Sequence, residues 1–154
     1  MRYETTPHVR EVASRWKEEA ERLGDTFIGL KHVLLAMLTV EDATAPALLR
    51  ALGCDLLDLR ATLEALPDER PPGADPKRVP LTREVERALS RARREAVRLG
   101  SPRVGTEHLL LGMLAGRLGG LGKSGVVAET LARQYDVTYR NVRRLLRDRS
   151  RAVA

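Results

Sequence analysis

An internal repeat with an offset of 76 residues limits the folds open to this chain more than any other feature of its sequence. Residues 19–38, EAERLGDTFIGLKHVLLAML, match residues 95–114, EAVRLGSPRVGTEHLLLGML, at 11 of 20 positions. The glycines, the histidine and most of the leucines are shared, whereas the pair after the second glycine changes from LK to TE. Such a repeat predicts one helical unit built twice, with the two copies packed together.

The first helix of each copy is indicated by its apolar spacing. Apolar residues recur at steps of 3, 4, 7, 11 and 14 from Val9 and again from Val85, which is the pattern of one face of an amphipathic helix. Thr6 and Thr82 are placed to cap these helices, and Gly24 and Gly100 to end them.

Three more helices are expected in each copy. They begin near 30 and 106, then cover about 45–52 and 125–134, and finally about 56–66 and 139–148. We expect Thr106 to cap the second helix of its copy, and Asp55 and Thr138 to cap the fourth helices. The predicted fold is all-α: two four-helix units, 1–66 and 80–149, related by a pseudo-twofold axis. A proline-rich linker, 67–79, joins them, and a tail, 150–154, follows.

Composition agrees with packed helices. The chain is 43% hydrophobic and 31% charged, enough to bury a core, and only 3% aromatic, so the core is aliphatic. No apolar run reaches the ~18 residues of a membrane span, and the start, MRYETTPHVR, lacks the apolar region of a signal peptide. We therefore expect a cytoplasmic protein with no membrane partner.

Charge is divided unevenly between the copies. Residues 1–75 carry 9 Lys/Arg against 14 Asp/Glu, and residues 76–154 carry 18 against 7. The basic half leaves open an alternative function, a helical nucleic-acid-binding protein. The arginine-rich segment 137–151 also matches the first copy as a repeat element, which explains it without nucleic acid.

The repeat as a whole resembles the Clp repeat domain, the N-terminal domain of the Clp AAA+ unfoldases, especially of the ClpC and ClpA types. The resemblance rests on residues 19–38 and 95–114, on LTREVERAL at 81–89 and on LLRALGCDLLDLRATLEAL at 48–66. It implies a non-catalytic domain that binds protein substrates or adaptors and passes them to an ATPase ring.

The resemblance also implies a ligand site. In ClpC-type domains each repeat binds phosphoarginine, and the glutamate of the GTEH motif pairs with the guanidinium. By position, Glu107 would be that glutamate, with Thr106 and Thr82 on the phosphate side. In the first repeat the equivalent positions are Lys31 and Leu30, so only Thr6 remains and the site is expected to be lost or altered. Glu107 has an alternative role, stabilising the start of its helix by about 0.3–1 kcal/mol.

Other motifs predict no catalysis, cofactor or metal. The stretch GRLGGLGKS, 116–124, misses the phosphate-binding pattern because Arg117 stands where its first glycine is required. His32 and His108 occupy equivalent places in separate repeats, which favours a repeated structural role, and the single Cys54 is expected to be buried. The leading hypothesis is a free-standing Clp repeat domain that acts as an adaptor or substrate receptor; the alternative is a piece of a longer unfoldase.

Overall fold

The computed structural model describes residues 4–67, 79–115 and 125–153, and these contain eight helices and two very short strands. In chain order they are β1 (Glu4–Thr5), α1 (Pro7–Arg22), α2 (Leu30–Thr39), α3 (Thr44–Ala51), α4 (Leu56–Glu64), α5 (Arg83–Arg98), β2 (Arg103–Val104), α6 (Thr106–Ala115), α7 (Val126–Tyr135) and α8 (Tyr139–Val153). The predicted all-α double repeat is confirmed. Residues 68–78 of the predicted linker and the glycine-rich stretch 116–124 lie outside the described residues.

The two repeats exchange the same backbone contacts. Strand β1 runs parallel to β2, with Glu4 opposite Arg103, and Ile28 forms the equivalent parallel bridge to Leu81. The N–H of Thr6 donates to the carbonyl of Val104 at 3.0 Å, and that of Thr82 donates to Ile28 at 3.0 Å. Each bond maps onto the other when the residue numbers are shifted by 76, which is the reciprocity of an isologous twofold contact. Two-residue strands carry no alternating pattern, so sequence periodicity does not predict them.

The predicted ends of the first helices are confirmed. The hydroxyls of Thr6 and Thr82 accept the N–H groups of Val9 and Val85, both at 3.3 Å. Gly24 and Gly100 follow the helices at φ of 75° and 67°, a conformation that favours glycine. Asp55 and Thr138 cap α4 and α8 as expected.

Helices α2 and α6 form the centre of the molecule. Almost every residue of each helix is buried, including Leu34, Leu35, Leu110 and Leu111. No single helix among the described residues is long and apolar enough to span a membrane. Helices α2 and α3, which are bent by 92° relative to each other, meet the length and hydropathy of a span only when they are taken as a pair. Helix α8 runs to Val153 rather than ending near 148, so most of the predicted tail is helical.

Gly112 sets the distance between α5 and α6. A Cβ at this position would lie 2.3 Å from the carbonyl oxygen of Ala88 and 2.9 Å from the backbone nitrogen of Ala92. The first repeat has Ala36 at the equivalent place. In the second repeat, α5 and α6 therefore approach each other with backbone in contact at Gly112. In the first repeat, the methyl group of Ala36 fits at the equivalent place in α2.

We predict that Gly112→Ala lowers the free energy of unfolding by about 1–3 kcal/mol, because the added methyl meets rigid backbone. Urea denaturation followed by circular dichroism measures this. Ser90→Ala, on the exposed face of α5, is the control and should change stability by less than about 0.5 kcal/mol. Equal stability of Gly112→Ala and the parent chain would contradict the close approach.

Candidate binding site

The start of α6 is held by a glycine and a histidine. Nδ1 of His108 accepts the N–H of Gly105 at 2.8 Å, while the His108 N–H donates to the Gly105 carbonyl at 3.1 Å. His32 and Gly29 make the same pair of bonds at the start of α2. The repeated structural role predicted for the two histidines is confirmed, and it is a reciprocal cap of the helix start.

Thr106 does not cap α6, contrary to the expectation from its position. It is the first residue of that helix, and its hydroxyl accepts the N–H of Ala45 at 3.0 Å. Ala45 lies in the first turn of α3, where backbone N–H groups lack helical partners. Thr106 thus supplies from the second repeat the cap that Ala43 cannot give to α3. Its side chain is buried, with 1% of the residue exposed.

Glu107 lies on the rim of an open groove beside α8. Its side chain is 22% exposed, and Oε1 lies 3.6 Å from Nδ1 of His108. The carboxylate folds back over Gly105, where a Cβ would collide with it. Among the described residues no lysine or arginine nitrogen lies within 4 Å of this carboxylate. Glu107 therefore presents an acceptor that is open to a cationic ligand.

The facing wall of the groove is formed by α8. The groove encloses about 480 Å³ and is lined by residues from the segment after α5 and from α6 and α8: Leu99, Ser101, Glu107, His108, Arg143, Leu146, Arg147, Ser150 and Arg151. The lining therefore combines the Glu107 carboxylate of α6 with arginines of α8, and Leu99 and Leu146 add apolar surface. Such a lining suits a ligand that carries both charges.

A buried glutamate positions this wall. Glu95 of α5 is almost fully buried and accepts from the hydroxyl of Tyr139 at 2.6 Å, from Arg98 at 3.2 Å and from Arg143 at 3.3 Å. Tyr139 and Arg143 belong to α8, so these bonds hold that helix against α5. Sequence reasoning aligned Glu95 with Glu19 but did not identify either as a buried anchor. The sequence feature that pointed to this role is a glutamate followed by an arginine three residues later, which occurs in both copies.

The equivalent place in the first repeat holds a lysine, and Leu30, Lys31 and Leu66 help to line a cavity of only about 30 Å³ there. The Lys31 ammonium donates to the carbonyl of Leu66 at 3.2 Å and lies 3.9 Å from the Asp25 carboxylate. Its side chain is only 10% exposed. Asp25 in turn accepts from Nε2 of His32 at 2.6 Å. Lys31 is thus turned inward beneath the end of α4, and Leu30 beside it is buried and has no hydroxyl to offer.

The strand pairing decides which of the two capping threonines, Thr6 or Thr82, lies beside the start of α6 and which lies beside the start of α2. Thr6 is bonded to Val104, two residues before Thr106, whereas Thr82 is bonded to Ile28, two residues before Leu30. The structure therefore brings Thr6 of the first repeat beside the start of α6, and Thr82 beside the start of α2. The resemblance groups Thr82 with Thr106 and Glu107, whereas the backbone bond of Thr82 is made to the segment before α2 and that of Thr6 to the segment before α6.

Cys54 is buried, and its surroundings disfavour the thiolate form. Burial, with Asp55 and Asp58 nearby, raises the pKa of the Cys54 thiol to about 11, so the reactive thiolate is scarce at neutral pH. No group of three or more His, Cys, Asp or Glu side chains in the described ranges is placed to hold a metal ion.

Comparison with known families gives a match to the Clp repeat (R) N-terminal domain over residues 4–125. A ClpA homolog of Guillardia theta is 35% identical over 132 residues, 86% of this chain and 16% of that protein. The chloroplastic chaperone protein ClpC of Pisum sativum is 36% identical over 98 residues, 64% of this chain and 10% of that protein. The chain thus spans less than a fifth of the length of these two relatives.

Solved structures share the fold. The N-terminal domain of the chaperone ClpD from Arabidopsis thaliana aligns with a TM-score of 0.66 at 16% identity, over 96% of this chain and 97% of that one. The N-terminal domain of the ClpV1 ATPase from E. coli aligns with a TM-score of 0.68 at 17% identity, over 92% and 82%. At such identities the likeness concerns the fold alone.

We predict that Thr106→Val destabilises the domain by about 1 kcal/mol, since it removes the cap of α3 while keeping the shape of the side chain. Thr106→Ser, which retains the hydroxyl, is the matched control. Both are measured by urea denaturation. If Thr106→Val is as stable as the parent chain, the cap across the repeats contributes nothing.

Acidification is expected to destabilise the fold through His108. Burial lowers the pKa of His108 below 6.5, partly opposed by the Glu107 and Glu95 carboxylates. The unfolded chain then binds the proton more readily, so stability is lost as pH falls below about 6.5. In His108→Gln an amide oxygen can replace Nδ1 without titrating. The fall in unfolding free energy between pH 7.5 and 5.5 should be smaller in this variant; an identical fall would exclude His108 as the source.

Proposed function

Because this chain belongs to the Clp repeat (R) N-terminal domain family, we propose that it is a non-catalytic domain that binds protein substrates or adaptor proteins for a Clp unfoldase. The observation that carries the proposal is the groove at Glu107. It is open, and it combines an acceptor, donors and apolar surface on rigid helices. These are the properties of a binding site for a ligand that carries charged and apolar groups.

We propose further that the second repeat holds a single phosphoarginine-type site. A carboxylate accepts a guanidinium in a forked, charge-assisted geometry, and the Glu107 carboxylate has no competing cation among the described residues. The phosphate would be received at the start of α6, where Thr6 and Thr106 are near neighbours and the helix dipole favours an anion.

The hydroxyls of these threonines can take part on the phosphate side. Thr6 and Thr106 each accept one backbone N–H, and a hydroxyl retains a hydrogen that it can donate to a phosphate oxygen. Thr6 is half-buried, while Thr106 is reached only if the start of α3 shifts. We therefore assign the larger part of the phosphate contact to Thr6 and to the helix start.

The first repeat is proposed to be silent toward this ligand. A guanidinium arriving there would meet the Lys31 ammonium, which already engages the carboxylate and carbonyl groups around it. The guanidinium and the ammonium carry like charges and would repel each other in such close contact. The domain would accordingly bind one phosphoarginine, not two.

Calorimetric titration with free phosphoarginine tests this site. The parent chain should bind one equivalent, and Glu107→Gln should weaken binding by about tenfold or more, since a charge-assisted bond becomes a neutral one. Glu86→Gln, exposed on α5, is the matched control and should bind as the parent does. Two equivalents, or equal binding by Glu107→Gln, would contradict a single site at Glu107.

The broader proposal is tested with the purified chain as bait in lysate of its own host. Substrates, adaptors or Clp components should be enriched over a Glu107→Gln, Arg147→Glu variant in which the charges of the groove are altered. If nucleic acid is enriched instead, and its binding weakens steeply as the salt concentration is raised, the result would favour the alternative of a nucleic-acid-binding protein.

A further inference from the structure

Helix α8 carries a row of exposed arginines that the fold does not require. Arg140, Arg144, Arg147 and Arg151 follow one another by 4, 3 and 4 residues, so they share one face of the helix. All four are exposed, and among the described residues none has a carboxylate partner within 4 Å. We call these four residues the arginine row.

The first repeat is an internal control for this row. Helix α4 occupies the place of α8, and both use an arginine, Arg60 or Arg143, to reach the buried glutamate of their repeat. With that alignment, the positions of Arg140, Arg144 and Arg147 are held in α4 by Leu57, Ala61 and Glu64. Since α4 packs in the same way without these cations, packing does not explain them. Neighbouring like charges also oppose helix formation.

The surroundings of the row narrow the choice of partner. Arg147 and Arg151 line the groove together with Leu99 and Leu146, and Leu99 is itself partly exposed, as is Val97 nearby in sequence. The Glu107 carboxylate lies in the same groove and would repel a continuous phosphate backbone. A cationic row beside apolar side chains and one carboxylate fits a polypeptide with acidic and apolar residues better than it fits a nucleic acid.

We propose that the arginine row and the adjoining groove bind an acidic, partly apolar segment of a partner protein. The row spans 12 residues, and its two ends lie about 16 Å apart along the helix. A segment of about three helical turns, with carboxylates spaced by three and four residues, matches this length and spacing. The inference rests on the proposed protein-binding function but not on phosphoarginine binding.

The test uses a fluorescein-labelled 14-residue peptide with glutamates at positions 2, 6, 9 and 13, leucines at the adjacent positions 3, 7 and 10, and alanine or serine elsewhere. Anisotropy is measured near 0.1 M salt, where exposed charges still interact over about 10 Å. Arg144, Arg147 and Arg151 are changed together to Gln. The control variant changes Arg50, Arg83 and Arg87 to Gln, which removes the same charge from exposed positions on α3 and α5.

We expect the row variant to bind the peptide about tenfold more weakly, the combined loss of three exposed ion pairs, and the control variant to change by less than about threefold. The parent chain should not bind the same peptide with Gln in place of Glu. Circular dichroism and Tm should match in all three proteins, because the substituted side chains are exposed.

Three outcomes would overturn the proposal. One is equal weakening by both variants, which would mean that only net charge matters. Another is a 14-nucleotide single-stranded DNA that binds as tightly as the peptide and is weakened by the row variant alone. The third is self-association of the parent chain, abolished in the row variant, which would make a second copy the occupant. Glu107→Gln separates this proposal from the phosphoarginine site: it should leave peptide binding unchanged or stronger.

Discussion

The architecture depends on a reciprocal exchange of backbone hydrogen bonds between the two repeats. The segment before the first helix of each repeat pairs with the segment before the second helix of the other, through Thr6 with Val104 and Thr82 with Ile28. This exchange fixes how the buried helices α2 and α6 meet. It also explains why Thr106 caps a helix of the first repeat and why each predicted ligand position has a threonine from the opposite repeat beside it. The two repeats therefore form one domain, because each repeat supplies hydrogen-bond partners to segments at the helix starts of the other.

On this symmetric frame the side chains have diverged in charge. The second repeat places Glu107 on one wall of its groove and Arg147 on the other, whereas the first repeat has Lys31 and Glu64 at the matching positions. Lys31 turns inward to the carbonyl of Leu66, and Glu64 pairs with Arg22 at 2.8 Å. In the first repeat both charged groups therefore have partners within the protein, whereas the second repeat leaves its carboxylate and its outer arginines available. The buried Glu19 and Glu95, each holding two arginines, are the charged elements that both repeats keep.

The sequence predicted the repeat, the helices and most caps, because these follow from local periodicity and from residue types with strong positional preferences. It did not predict the two-residue strands, whose pairing is a long-range contact with no local pattern, nor the burial of Glu95, which becomes reasonable only once Tyr139 and Arg143 are brought to it. Thr106 was predicted as a cap of α6 because a threonine precedes an apolar run; the actual cap is a glycine with a histidine three residues on. The inward turn of Lys31 likewise depends on the end of α4, 35 residues away.

The central proposal is that the second repeat binds phosphoarginine and the first repeat does not. It is tested most directly by ¹⁵N–¹H chemical-shift mapping during titration with phosphoarginine, because the two helix starts serve as internal references for each other. The account predicts saturable shifts at Gly105, Glu107 and His108 and at the facing residues of α8, with the equivalent amides Gly29, Lys31 and His32 unmoved. Shifts of equal size and midpoint at both helix starts, or shifts confined to the first repeat, would contradict it.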